Sequence, residues 1–135
     1  MNNLSKNQAI FVLLNSNPRF FSFLAMPPPL PIPMMKLEFQ VAQKLHGATA
    51  PGSKRVHDLV DLQLIVNNSE IDFCLAKSLC QKLFAYRKVH HWPPTITPKD
   101  EWDNVYNAQK RDLNVLSTVE EAVDWANDLI AKIDA

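Results

Sequence analysis

Leu37-Glu38-Phe39-Gln40-Val41-Ala42-Gln43-Lys44-Leu45-His46-Gly47-Ala48 runs into Pro51-Gly52 and is followed by Ser53-Lys54-Arg55-Val56-His57-Asp58-Leu59-Val60-Asp61-Leu62-Gln63-Leu64-Ile65-Val66. The spacing predicts two helices, over about 36–48 and 53–66, joined at the proline–glycine turn. At ~100° per residue, with Leu37 as zero, Val41 falls near 40°, Leu45 near 80° and Ala48 near 20°, which defines one apolar face. Lys44 falls near 340° on the same wheel, so its ammonium projects from that face. An unpaired buried cation costs several kcal/mol, roughly. The fold must therefore give Lys44 a carboxylate, a route to water or an anionic ligand.

The second of these helices is apolar nearly all round, through Val56, Leu59, Val60, Leu62, Leu64, Ile65 and Val66, and such a helix is buried. Asp58 lies angularly between Leu62 and Ile65, and Asp61 is about 60° further round, so both acids emerge from apolar surface. Lys44, Asp58 and Asp61 are thus expected to meet across a helical hairpin. Spacing alone favours a structural salt bridge, and a ligand pocket is the competing reading.

Outward from this hairpin the helical pattern continues. Ser69-Glu70-Ile71-Asp72 is expected to cap a third helix that closes at Arg87-Lys88, with Leu75, Leu79, Cys80, Leu83 and Phe84 as its buried stripe. His90-His91-Trp92-Pro93-Pro94 forces a loop. Thr97-Pro98-Lys99-Asp100 then opens a short fourth helix anchored by Trp102, Val105 and Tyr106. Ser117-Thr118-Val119-Glu120 reads as a capping box for a last helix with Val119, Ala122, Val123, Ala126, Leu129, Ile130 and Ile133 on one side. In the other direction, residues 27–33, Pro-Pro-Pro-Leu-Pro-Ile-Pro, are extended because each proline fixes φ and removes a donor. The expected organisation is a poorly ordered or extended tail over 1–33 ending in this proline-rich connector, and a helical domain over 34–135. The fold class is mainly α, a single helical bundle of about five helices.

Composition narrows the function. The 135 residues carry 21% charged side chains and a formal net charge of zero, so no overall field holds a polyanion. The apolar run 9–14 breaks at Asn15-Ser16-Asn17-Pro18, too short for a signal-peptide core or a membrane span. A soluble, cytoplasmic protein is expected, with no membrane partner. Cys74 and Cys80, six residues apart on one helix, are about 9 Å from each other and cannot bridge. Two glycines, Gly47 and Gly52, leave no glycine-rich phosphate loop, and there is no serine nucleophile elbow. Glu70/Asp72 and Glu101/Asp103 have the spacing of paired metal-binding carboxylates, but first-turn capping explains them, so no metal site is expected within the chain. His90, His91 and Trp92, with Lys82, Arg87 and Lys88 nearby, read as a solvated helix end or, alternatively, as a contact for a base or phosphate.

Phe39 through Gly47 and Lys54 through Gln63 together resemble the AbiEii/AbiGii nucleotidyltransferase toxin family. They fit its pattern A-x-K-L-x-A followed by R-x-x-D-x-x-D, with Gly47 or Ala48 as the small residue, and the likeness continues through Ala85-Tyr86-Arg87, His91-Trp92-Pro93-Pro94 and Ala122-Val123-Asp124-Trp125-Ala126. It covers about residues 30–135. The resemblance implies that Lys44, with Arg55, faces a nucleoside triphosphate and that Asp58 and Asp61 complete a polar catalytic floor. It also implies Mg²⁺ and an NTP, transfer of NMP to an RNA or protein acceptor, and a toxin–antitoxin or phage-defence setting.

In that family this region resembles the helical C-terminal half of an α+β enzyme, whose other half carries a glycine turn and an Asp-x-Asp metal pair. Neither motif occurs in this sequence, and residues 1–26 resemble no part of that half. The chain is therefore expected to be a truncated C-terminal portion, inactive alone. Its partners would be an antitoxin or a separate N-terminal half, with self-association through an exposed apolar face. The alternative is a non-enzymatic helical interaction module or remnant.

Overall fold

A computed structural model describes residues 36–135; the expectations for the tail and connector over 1–33 lie outside the described residues. Among these residues there are five helices and no strand: α1 Leu37–Thr49, α2 His57–Asn67, α3 Phe73–Arg87, α4 Trp102–Lys110 and α5 Val119–Asp134. The fold is mainly α. α1 packs chiefly against α3 and α2, while α5 closes the bundle by touching α3, α2 and α4.

Side-chain chemistry sets where each helix starts. α2 begins four residues later than its periodicity predicts, because Ser53 Oγ donates to the Gly47 carbonyl at 2.6 Å and accepts the Arg55 amide at 3.0 Å. Those bonds hold residues 53–55 in an irregular, non-helical conformation. α3 begins at Phe73 rather than in the Ser69 turn: the Glu38 carboxylate of α1 accepts the Asp72 amide at 2.7 Å, and Asp72 Oδ1 in turn caps the Leu75 amide at 3.1 Å. Lys88, at φ 56°, ends it in the left-handed conformation, its amide donating to the Phe84 carbonyl. α4 starts at Trp102 and not at Thr97, since Asn127 of α5 engages both the Ile96 amide (2.9 Å) and the Ile96 carbonyl (3.2 Å) and keeps this segment off the helix. The capping box of α5 is present but one residue on from its expected place, between Thr118 and Glu121.

The core follows the apolar faces that the periodicity marks, except that Leu75, expected in the α3 stripe, is only half-buried and lies outside the core cluster. Val41, Ala42 and Leu45 of α1, Val56 with Leu59, Val60, Leu62 and Ile65 of α2, and the seven expected residues of α5 are all buried. In α3 the stripe centres on Ala76, Cys80, Leu83 and Phe84, with Leu79 packed at its edge. Trp102 and Tyr106 anchor α4 as expected, but Val105 is 37% exposed: a nine-residue helix turns only one narrow stripe inward, and Val105 lies off it. The two cysteines are free, Cys74 exposed and Cys80 buried, and burial pushes the Cys80 thiol up to about 12. The exposed large apolar side chains, Phe73, Tyr86, Val89, Val105 and Leu113, are dispersed, with Tyr86 and Val89 sharing the end of α3. Among the described residues no helix is long and apolar enough to cross a membrane.

Candidate functional site

α1 and α2 bring the three predicted residues together. Lys44 is 1% exposed, and its Nζ lies 2.8 Å from Asp61 Oδ2 and 3.4 Å from Asp58 Oδ1. The inward ammonium therefore has carboxylate partners, one of the three outcomes that the helical wheel allows. The two acids differ in setting. The Asp58 side chain is fully buried and is gripped by Arg55, Nε to Oδ2 at 2.9 Å and Nη2 to Oδ1 at 3.3 Å; His57 Nε2 stands 3.5 Å from Oδ1. Asp61 remains 22% exposed at the mouth of the cluster. Asp58 holds the Arg55 guanidinium above its ordinary pKa chiefly by hydrogen bonding, with burial opposing and the charges of Asp58 and Asp61 adding to it. Such a forked pair fixes a carboxylate's orientation as well as its charge.

Gly47 has a reason to be glycine. A Cβ there would collide with the Asp58 carboxylate and lie 2.8 Å from Arg55 Nε, so the missing side chain is what lets the Arg55–Asp58 pair press against α1. Ser53, bound to the Gly47 carbonyl, holds the other side of the same contact.

Several residues beside this cluster escaped the sequence reading. Gln40, one turn before Lys44 on the same face, is completely buried, and neither amide atom has a hydrogen-bond partner. Gln43 and His46 are 6% and 4% exposed, and Gln43 Oε1 and His46 Nε2 likewise have none. His46 packs edge-on against Phe84 at 4.8 Å and beside His90 at 4.8 Å; burial, with Arg87 and then His90 nearby, lowers its pKa to about 4. Gln40 lies beside Lys44 on the helical wheel, whereas Gln43 and His46 fall about 240° and 180° from Leu37, away from the apolar face, so the periodicity of α1 does not mark those two as buried.

The remaining candidates separate. His90 accepts or donates at Thr49 Oγ1, 2.6 Å away, and packs on Phe84, so it is an internal packing residue, with its pKa lowered by burial and then by His91. His91 is exposed, while Trp92 donates from Nε1 to Asp134 Oδ1 at 2.9 Å. Asp72 is a helix cap, Glu70 is exposed, and Glu101 and Asp103 are exposed at the start of α4. A divalent cation does not fit between Asp58 and Asp61, because the Lys44 ammonium occupies the space between them and Arg55 already neutralises Asp58.

Among the described residues the fold is helical, and its first hairpin holds a buried lysine facing two acids, one buried and one partly open to solvent. The family comparison makes this specific. The model described as Nucleotidyl transferase AbiEii toxin, Type IV TA system, matches residues 10–130, and the chain belongs to that family. The match starts some twenty residues ahead of the expected limit near residue 30 and so takes in part of the segment 1–26. No curated protein matches the chain.

Proposed function

We propose that this chain contributes the phosphate-facing helical wall of a nucleotidyl transferase, with Lys44 contacting the triphosphate of an NTP and Arg55 holding Asp58 in place beneath it. The observation that carries the reading is the unequal pairing of Lys44. Asp58 is buried and committed to Arg55, whereas Asp61 is half-open. An incoming phosphate oxygen therefore has one carboxylate it can displace from the ammonium at modest cost, and one that stays to keep the lysine charged and oriented. The partnerless amide of Gln40 on the same face adds a polar group that a ligand would satisfy.

Phosphoryl chemistry of this class uses a metal to offset triphosphate charge. Since Asp58 and Asp61 are spent on Lys44 and Arg55, the metal-binding carboxylates and the turn that cradles the phosphates must come from outside residues 36–135. On this reading the chain alone binds nucleotide without transferring it, and RNA or protein is the acceptor once the other half is present. Membership of a type IV toxin family implies an antitoxin as partner. Self-association through an exposed apolar face belongs to the same proposal, and a strictly monomeric sedimentation profile at high concentration would remove it.

Calorimetry with an NTP and a transfer assay with labelled NTP, Mg²⁺ and cell RNA test the reading. The expected result is binding that falls at least tenfold in Lys44→Gln, with no label transferred by the chain alone. Transfer that proceeds equally in the wild type and in Lys44→Gln would overturn both the role of Lys44 and the requirement for a second half. Undiminished binding of an antitoxin by a Lys44→Gln chain that takes up no nucleotide in either form would favour the interaction-module reading.

A further inference from the structure

Beside Arg55, with Lys44 not among its lining residues, lies a cleft of about 310 Å³, bounded by α1, the turn after it and the end of α3. Its walls include Gln43, His46, Gly47, Arg55 and Arg87. We propose that this cleft is a second recess for a phosphate group, separate from the lysine pocket and sharing Arg55 as a common wall. The proposal rests on the nucleotidyl-transfer reading only for what carries the phosphate, and otherwise stands on the geometry of the cleft.

Three observations meet there. Two guanidiniums line one concavity, and the forked donor array of arginine suits phosphate oxygens. Arg55 spends Nε and Nη2 on Asp58, which leaves its other terminal nitrogen as a donor. The second observation is the pair of orphan polar atoms: Gln43 Oε1 and His46 Nε2 are buried within residues that line the cleft, yet have no hydrogen-bond partner. A buried polar group left in this state is costly, and a ligand that reached it would offset that cost. An amide can present either end, and a neutral imidazole with its proton on Nε2 donates without adding charge. Third, burial and then the nearby Arg87 guanidinium disfavour protonation of His46, so a neutral imidazole borders the same cleft as the two guanidiniums.

Small residues help to shape the recess. Gly47 and Ala50 are among its lining residues, and the absent Cβ at Gly47 leaves room for Arg55 beside α1. The volume is at the small end of the range for ligand pockets and suits a phosphate or pyrophosphate unit better than a whole dinucleotide. Two sources carry that chemistry: the phosphates of a free nucleotide, or the sugar-phosphate end of an RNA strand.

Histidine NMR on the full 135-residue chain reads the recess directly, with inorganic pyrophosphate, an NTP without metal and a short RNA oligonucleotide as probes. Pyrophosphate is expected to move the His46 resonances saturably and to raise the His46 pKa by about a unit or more, since a bound anion favours the imidazolium. Arg87→Gln should weaken this binding by on the order of tenfold. Arg87→Lys, which keeps the charge and loses the fork, should fall between, and Lys82→Gln on the exposed face of α3 should change nothing. Stronger binding of the NTP than of the RNA identifies a free nucleotide as the source, and the reverse identifies the strand end. His46 resonances unmoved by all three probes, or a response equal in wild type, Arg87→Gln and Arg87→Lys, would overturn the recess. In Lys44→Gln the pyrophosphate response at His46 should survive. Its survival alongside failed NTP binding separates loss of the lysine pocket from loss of this one.

Discussion

Lys44 stands between two acids of unequal exposure, and that inequality sets what its removal would cost. Breaking a buried ion pair by deleting one partner typically costs about 3–5 kcal/mol, because the other charge is left buried and uncompensated. Here Asp58 keeps Arg55 and Asp61 can turn to water, so the loss should sit at the low end. Lys44→Met, which retains the stem volume, is expected to destabilise the chain by roughly 3 kcal/mol in urea unfolding. Adding Asp61→Asn should return little of that, whereas Asp58→Asn in the Lys44→Met background should disturb Arg55 and cost more. A Lys44→Met chain as stable as the wild type would mean that the pair contributes nothing net and that the lysine is held solely for a ligand.

At the scale of elements, the hairpin of α1 and α2 depends on contacts between helices as much as on its own sequence. Gln63 is the clearest case. It is 1% exposed, donates to the Leu59 carbonyl at 3.1 Å and to Tyr106 Oη at 3.0 Å, and accepts the Leu116 amide at 2.8 Å, while Tyr106 donates to the Leu116 carbonyl at 2.7 Å. One amide thus joins α2, α4 and the turn before α5. Gln63→Leu keeps the volume but strands the Leu116 amide, for an expected loss of about 2 kcal/mol. Amide hydrogen exchange should locate it, with protection falling in α4 and residues 111–118 and persisting in α1 and α3. Uniform loss across all five helices would refute the local role.

For the molecule as a whole, the expected vulnerability is to acid. The reference pKa of histidine is 6.5, and His46 takes its proton in the fold only at about 4 because it is buried against Phe84 with Arg87 and His90 close by. The native pKa is depressed, so the stabilisation is complete above about 6.5 and is lost as pH falls toward 4. The difference corresponds to at most on the order of 3 kcal/mol. His90, lowered in the same direction, adds to the trend. Urea midpoints between about pH 7.5 and 4 should fall steeply for the wild type and less for His46→Phe; parallel curves for the two would assign the acid sensitivity elsewhere.

The periodicity of residues 37–66 and 119–133 made the helical class and most of the core legible, because burial of one face repeats every ~3.6 residues and leaves its mark in the chain itself. The same arithmetic placed Lys44 inward and aimed two acids at it, so the centre of the site was legible too. Helix starts were less so. Ser53, Asp72 and Thr97 could each cap or not, and the choice fell to Gly47, Glu38 and Asn127, partners that lie 6, 34 and about 30 residues away along the chain.

What the sequence determined by itself is therefore the set of local decisions: which stretches are helical, which face of each is apolar, and which charge cannot avoid the interior. Only the tertiary structure decided which acid is buried and which is open, that Arg55 grips the buried one across the gap left by Gly47, and that Gln43, His46 and Arg87 border one cleft. The physical reason is that helical period is a property of neighbours along the chain, whereas burial and partnership of a polar atom depend on which helices meet and how closely they approach.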